Sequence, residues 1–137
     1  MWRARDWFDA ASVQEQNELL EHEQGHFEIT GLVARDLCVS LLNLELSDAV
    51  AGAMRGVGTS ASAKLTYART QLAADAREVS RRATTFFRWI ENTQVSGVVQ
   101  EGQYERDTNH GMNRIAQTRW TEIFQFARTS GTPLSLA

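Results

Sequence analysis

A chain of 137 residues is long enough to bury a hydrophobic core and predicts a single domain over residues 1–137. Its 42% hydrophobic and 23% charged residues exclude a disordered chain, and a net charge of −3 excludes the basic footprint of a nucleic-acid or anionic-membrane binder. No apolar run approaches the roughly 18 residues of a membrane span, and a single cysteine, Cys38, excludes an internal disulfide. The opening stretch from Met1 to Trp7 lacks the apolar centre of a signal peptide, so the expected location is cytoplasmic by default.

Three long helices are expected. The first runs from Ser12 to Leu46, with Ser12 and Glu15 as a capping box. Leu19, Ile29, Val33 and Leu37 form its apolar stripe, and Cys38 beside it reads as a small buried hydrophobe. Residues 48–62, rich in glycine, serine and threonine, read as a flexible connection. The second helix spans Ser62 to Asn92, with Leu65, Ala68, Leu72, Ala76, Val79, Ala83, Phe86 and Ile90 as a near-heptad stripe. Its arginines at 69, 77, 81, 82 and 88 read as a solvated face, or as partners for Glu15, Glu18, Glu21 and Glu28. Residues 93–103 are a loop or a very short strand. The third helix starts near Asp107 or Thr108 and runs to Arg128, with Met112, Ile115, Ala116, Trp120, Ile123 and Ala127 inward. The tail beyond Gly131 is expected to be loose.

Within the first helix stands His22-Glu23-Gln24-Gly25-His26. Histidines four apart lie one above the other on a helix, and two imidazoles at that spacing can reach one tetrahedral Zn²⁺. Glu23 is turned about 100° from His22, so its carboxylate can stand beside the metal and act as the base of a zinc hydrolase. Both histidines fall in line with the apolar stripe, where two unpartnered imidazoles would be costly. Gly25 costs about 1 kcal/mol of helix relative to alanine; it reads either as room for another backbone or a substrate to approach closely, or as simple tolerance of a poor helix former. A catalytic zinc needs a third protein ligand. The metzincin positions hold Ile29 and Leu32, which excludes that class. The segment from Tyr104 to Gly111 is the richest polar cluster elsewhere and offers Glu105, Asp107 and His110.

The His22–Ile29 stretch, preceded by Leu19-Leu20, resembles the HEQGHF block of a bacterial family of zinc-dependent proteases catalogued as a domain of unknown function. Tyr104–Gly111, followed by Gln117 and Trp120, is similar to that family's second block, an aromatic-acid-x-x-T-x-H-G pattern. Together the blocks cover about residues 16–37 and 104–120. The resemblance implies a zincin-like metallopeptidase that cleaves peptide or protein substrates with a metal-activated water, with His22 and His26 as Zn²⁺ ligands and Glu23 as general base. His110 is the choice for third ligand, since it completes a neutral three-nitrogen site. Asp107 would support a ligating imidazole from behind, with Glu105 beside it, and Tyr104 is either an oxyanion donor or a core aromatic. The resemblance also implies export in relatives.

The expected fold is therefore an all-α bundle of three helices with a metal site between the first and third. Zincins place a β-sheet before the first motif, and only 21 residues precede His22 here. Either the chain is a fragment of a longer protein, or it keeps the metal site without the sheet. Two rival readings stand beside the peptidase: an inactive zincin-like domain that binds metal and a partner, and a helical assembly protein that binds no metal.

Overall fold

The computed structural model describes residues 10–58 and 60–137, so the reading of the N-terminal seven residues lies outside the described residues. The protein is all-α. Among the described residues there are five α-helices: α1 (Val13–Leu42), α2 (Asp48–Met54), α3 (Ala61–Ile90), α4 (Gln103–Thr108) and α5 (Arg114–Ser130). A two-stranded antiparallel hairpin, β1 (Thr93–Val95) and β2 (Val98–Gln100), separates α3 from α4. No helix among them is long and apolar enough to cross a membrane.

The chain divides into two compact units, Met1–Val33 with Phe86–Ala137, and Ala34–Thr85. The first unit holds the core. Ile29, Leu32, Val33, Ile90, Tyr104, Phe124, Ala127 and Leu134 are its buried members, with Phe86, Phe87, Trp120 and Ile123 packed against them. Full burial of each large side chain contributes about 1.5–3 kcal/mol. In the second unit, Ala68 is the only buried residue among those described. Its helices are held by local bonds: Ser47 and Ser60 cap α2 and α3, and Glu78 takes Arg81 and Arg82 at 2.8 Å.

Several expectations hold in detail. Ser12 and Glu15 form the capping box, with Glu15 Oε2 accepting from the Ser12 N–H at 2.8 Å. Arginines 69, 77, 81, 82 and 88 are all exposed. The acids of α1 find their partners on α5 instead: Arg114 meets Glu21 at 2.7 Å and Arg128 meets Glu28 at 2.8 Å. These exposed pairs add roughly 0–1 kcal/mol each.

Other expectations are corrected. The connection 48–62 contains α2, because Ser47 accepts from the Val50 N–H and the alanines that follow favour helix. Cys38 is exposed, because α1 at that point belongs to the sparsely packed unit. The tail is anchored: a 3-10 turn at Leu134–Leu136 buries Leu134 in the core. Of the two alternatives for residues 93–103 the short strand holds: residues 93–100 form a hairpin, with Ser96 and Gly97 both at positive φ as a type I′ turn requires.

The largest correction concerns the third helix, which is two helices. Asn109, His110 and Gly111 all take left-handed backbone angles, with φ of 48°, 56° and 82°, and this ends α4. Asn113 then caps α5 by accepting from the Ala116 N–H. The chain turns between them, so Met112 and Ile115 point outward at 67% and 71% exposure, and Gln117, Phe124 and Ala127 face in.

Candidate metal centre

All the polar residues of the centre lie in the first unit. His22 and His26 come from α1 at the spacing of one helical turn, and their Nε2 atoms lie 3.3 Å apart. Glu105, on α4, is buried between them and the hairpin; its Oε2 lies 3.3 Å from His22 Nε2 and 3.1 Å from His26 Nε2. The three donor atoms thus make a nearly equilateral triangle. Three ligands about 2.0–2.1 Å from a tetrahedral ion would be separated by roughly 3.3 Å. The donor set therefore fits a divalent ion in both chemistry and size, and the three residues form one candidate ligand group.

The two imidazoles are oriented from behind. His26 Nδ1 meets Glu91 Oε1 at 2.5 Å, a carboxylate on the far side of the ring from the triangle. His22 Nδ1 lies 3.4 Å from both Gln117 Oε1 and Thr108 Oγ1. Gln117 is fixed by the rest of its amide, which donates to the Tyr104 hydroxyl at 2.8 Å, and that hydroxyl donates to the His22 carbonyl at 3.0 Å. A glutamine oxygen can only accept, so this contact suits a proton on His22 Nδ1, the arrangement that leaves Nε2 to face the triangle. The Tyr104 and His22 rings are stacked, 5.1 Å between centroids and 8° from parallel.

Gly25 explains itself here. A Cβ on it would lie 1.9 Å from the Tyr104 hydroxyl oxygen, so the glycine opens α1 to a buried tyrosine. Gly111 plays a matching part on the other side of His22. Its left-handed φ suits glycine, and a Cβ there would lie 2.9 Å from the His22 Cβ.

Asn92 ties the hairpin to the centre. Its Nδ2 donates to Glu105 Oε2 at 3.1 Å, and its Oδ1 accepts from the N–H of Gly102, the residue that caps α4. Burial alone would raise the Glu105 carboxyl, but the charges of His22, His110 and His26 and the Asn92 bond outweigh it and hold it below the ordinary carboxylate value. For His26 burial works to lower the imidazole, and Glu91, Glu105 and Glu23 together raise it above its ordinary value. Burial pushes the Tyr104 phenol up to about 12.

A cleft of about 450 Å³ is lined by the three donors together with Glu23, Glu91 and His110. Glu23 is exposed, stands in that lining and acts on His26 by its charge. Glu91 Oε2 is buried with no hydrogen-bond partner, so a donor entering the cleft would satisfy it.

His22, His26 and Glu23 thus stand together as expected from their spacing. The third corner of the triangle is Glu105 and not His110. The left-handed break leaves His110 59% exposed at the rim, with Nδ1 against Glu105 Oε1 and Nε2 3.7 Å from Glu101. Asp107 supports no imidazole: it accepts from Gln103 at 2.6 Å and from the Trp120 indole at 3.2 Å. Tyr104 is fully buried, and its one proton goes to a backbone carbonyl, which makes it a positioning residue.

Glu91 and Asn92 were not singled out from the sequence, and Gln117 entered only as part of the second block, without a role. Glu91 and Gln117 left a physical signal. Glu91 directly follows the last residue of α3, where the helix dipole disfavours a carboxylate. Gln117 falls in step with Trp120, Phe124 and Ala127 at spacings of three and four, a polar residue at a core position. Searches of protein-family models, of curated proteins and of solved structures find no match to this chain.

Proposed function

We propose that the protein is a zinc metallopeptidase, with His22, His26 and Glu105 as the metal ligands and Glu23 as general base. The observation that carries this reading is the triangle of donor atoms, with edges of 3.1–3.3 Å and each imidazole braced on its outer nitrogen. When bound, the ion supplies Lewis acidity to a water molecule and to a scissile carbonyl. Glu23, exposed on the cleft beside the three ligands, would serve as the base, its carboxylate accepting a proton from the attacking water and passing it to the leaving amine. Glu91 and Gln117 keep the two imidazoles in the ligating tautomer and orientation. Asn92 holds Glu105 in place from the base of the hairpin. His110, seated on the free oxygen of Glu105 and open to solvent, is placed to donate a hydrogen bond to a substrate carbonyl.

Elemental analysis of the purified protein tests the metal, and turnover of a quenched-fluorescence peptide mixture tests the chemistry. Close to one zinc per chain is expected, lost in His22→Ala and Glu105→Ala and retained in His110→Ala. Glu23→Gln should keep the zinc and lose turnover. Zinc that persists in Glu105→Ala and disappears in His110→Ala would return the third ligand to His110. Absence of zinc from the wild-type protein after refolding with the metal would overturn the reading altogether.

A further inference from the structure

A second depression, of about 590 Å³, is built from neighbours of the centre's own residues. Arg88 and Trp89 precede Glu91 and Asn92, Arg106 follows Glu105, and Val99 lies on β2 between them. Glu101 links the two hollows: it lines this one, while its carboxylate lies 3.7 Å from His110 at the rim of the other. The two differ in charge. The cleft at the centre carries Glu23, Glu91 and Glu105, whereas this one sets two guanidinium groups, Arg88 and Arg106, against the single carboxylate of Glu101, which lies toward His110.

Arg88 is exposed and has no ion pair or hydrogen bond among the described residues, so all its donors are open. Arg106 is held in place by the Glu101 carbonyl and by Gln103 Oε1 at 2.9 Å. Trp89 leans on Phe86, 5.6 Å between centroids, and leaves half its surface exposed. The register of the hairpin adds a backbone element. Val95 and Val98 close the two-residue turn as a hydrogen-bonded pair, so the next pair, Gln94 and Val99, turns its N–H and C=O groups outward. Val99 therefore offers one free donor and one free acceptor along the open edge of β2, and its side chain is 58% exposed.

The geometry points to a substrate subsite for an acidic residue in an extended peptide. Arg88 and Arg106 take the side-chain carboxylate of an aspartate or glutamate, Trp89 and Val99 take an apolar side chain, and the Val99 backbone pairs with the peptide strand. Residues on one face of a strand are two apart, so the recognised pattern is acid-x-apolar. The inference rests on the peptidase reading of the neighbouring cleft for its role, and on the two arginines for its ligand.

The test uses three fluorescein-labelled eight-residue peptides of alternating serine and valine. One carries a single internal glutamate, one glutamine at the same place, both with amidated ends, and the third is the glutamine peptide with a free C-terminal carboxylate. Fluorescence anisotropy with the full chain is read with zinc added and again with chelator. The glutamate peptide should bind about fivefold tighter than its glutamine twin, an advantage that shrinks with added salt. Arg88→Gln and Arg106→Gln should each reduce the preference below about twofold with unchanged circular dichroism, since both side chains lie outside the core. Equal binding of the glutamate and glutamine peptides, or a preference kept in both variants, overturns the subsite. Tighter binding of the free-terminus peptide alone overturns the assignment to an internal acid. A glutamate preference without cleavage under any metal condition overturns the peptidase reading and leaves the subsite standing. Cleavage of both amidated peptides at equal kcat/KM overturns the subsite and leaves the peptidase.

Discussion

The two units of this chain are made of the same kinds of helix and are stabilised in different ways. In the first, Met1–Val33 with Phe86–Ala137, the core and the candidate metal centre share residues: Tyr104 packs on Phe124 and Trp120 and also holds the backbone of His22. In the second, Ala34–Thr85, Ala68 is the one buried residue among those described, and the visible support is capping and bonds along single helices. A site placed on a packed core inherits its rigidity, because moving an imidazole there means moving a buried tyrosine. The lesson is that sensitivity to substitution should follow burial and not distance along the helix, even in α1 and α3, each of which runs through both units.

The sharpest break of that contrast is a pair of truncations. Phe124→Ala should cost about 3–5 kcal/mol and Leu65→Ala, which is 50% exposed, less than about 1 kcal/mol. Urea denaturation measures both, and equal losses would mean that the second unit carries a core of its own. Gly25→Ala comes next. Helix propensity favours the alanine by about 1 kcal/mol, but its Cβ would meet the Tyr104 hydroxyl at 1.9 Å, so a net loss of about 1–3 kcal/mol is expected. A crystal structure of that variant should show Tyr104 displaced from the His22 carbonyl.

A matched pair of acid substitutions then separates the units by metal affinity. Glu91→Gln should weaken zinc binding about 10–100-fold in a competition titration, because the carboxylate behind His26 is replaced by an amide. Glu78→Gln, which removes an exposed carboxylate held at about 2 by Arg81 and Arg82, should leave zinc affinity unchanged and the melting temperature within about 2 °C.

The pH dependence of the chelator-treated protein sharpens the picture further. His26 binds its proton more tightly in the folded state, so its contribution is complete below the ordinary imidazole value of 6.5 and is lost as pH rises through the raised folded value. Glu105 behaves oppositely: its contribution is complete above the ordinary carboxylate value of 4.5 and is lost as pH falls through the lowered folded value. The melting temperature should therefore be highest between about pH 4.5 and 6.5. In His26→Gln the decline on the alkaline side should become shallower, and an unaltered profile would show that His26 makes no such contribution.

Much of the fold is legible in the sequence where the signal is local. The capping box at Ser12, the length of α3 and the stacking of His22 over His26 follow from rules that reach four residues or fewer. The break after α4 is harder to read, because Asn109, His110 and Gly111 are an acceptable helix start on propensity alone. Their left-handed angles bring Gly111 against His22, nearly ninety residues away in the chain, a contact that no local rule reports. The choice between Glu105 and His110 was hidden for the same reason. A helix starting at Asp107 or Thr108 leaves Glu105 outside it, whereas α4 begins at Gln103 and carries Glu105 to the two imidazoles.

The sequence by itself determined that the chain is helical, that two imidazoles share one face of α1, and that Tyr104–Gly111 supplies their counterpart. Periodicity and four-residue spacing are properties of a single helix and need no partner to be read. Tertiary structure alone decided which donor completes the triangle, which groups brace the histidines, and which helix surfaces are buried. Those outcomes depend on where Asn92, Glu91 and Gln117 arrive from other elements, and on the space that Gly25 and Gly111 leave for a tyrosine and a loop to close around His22.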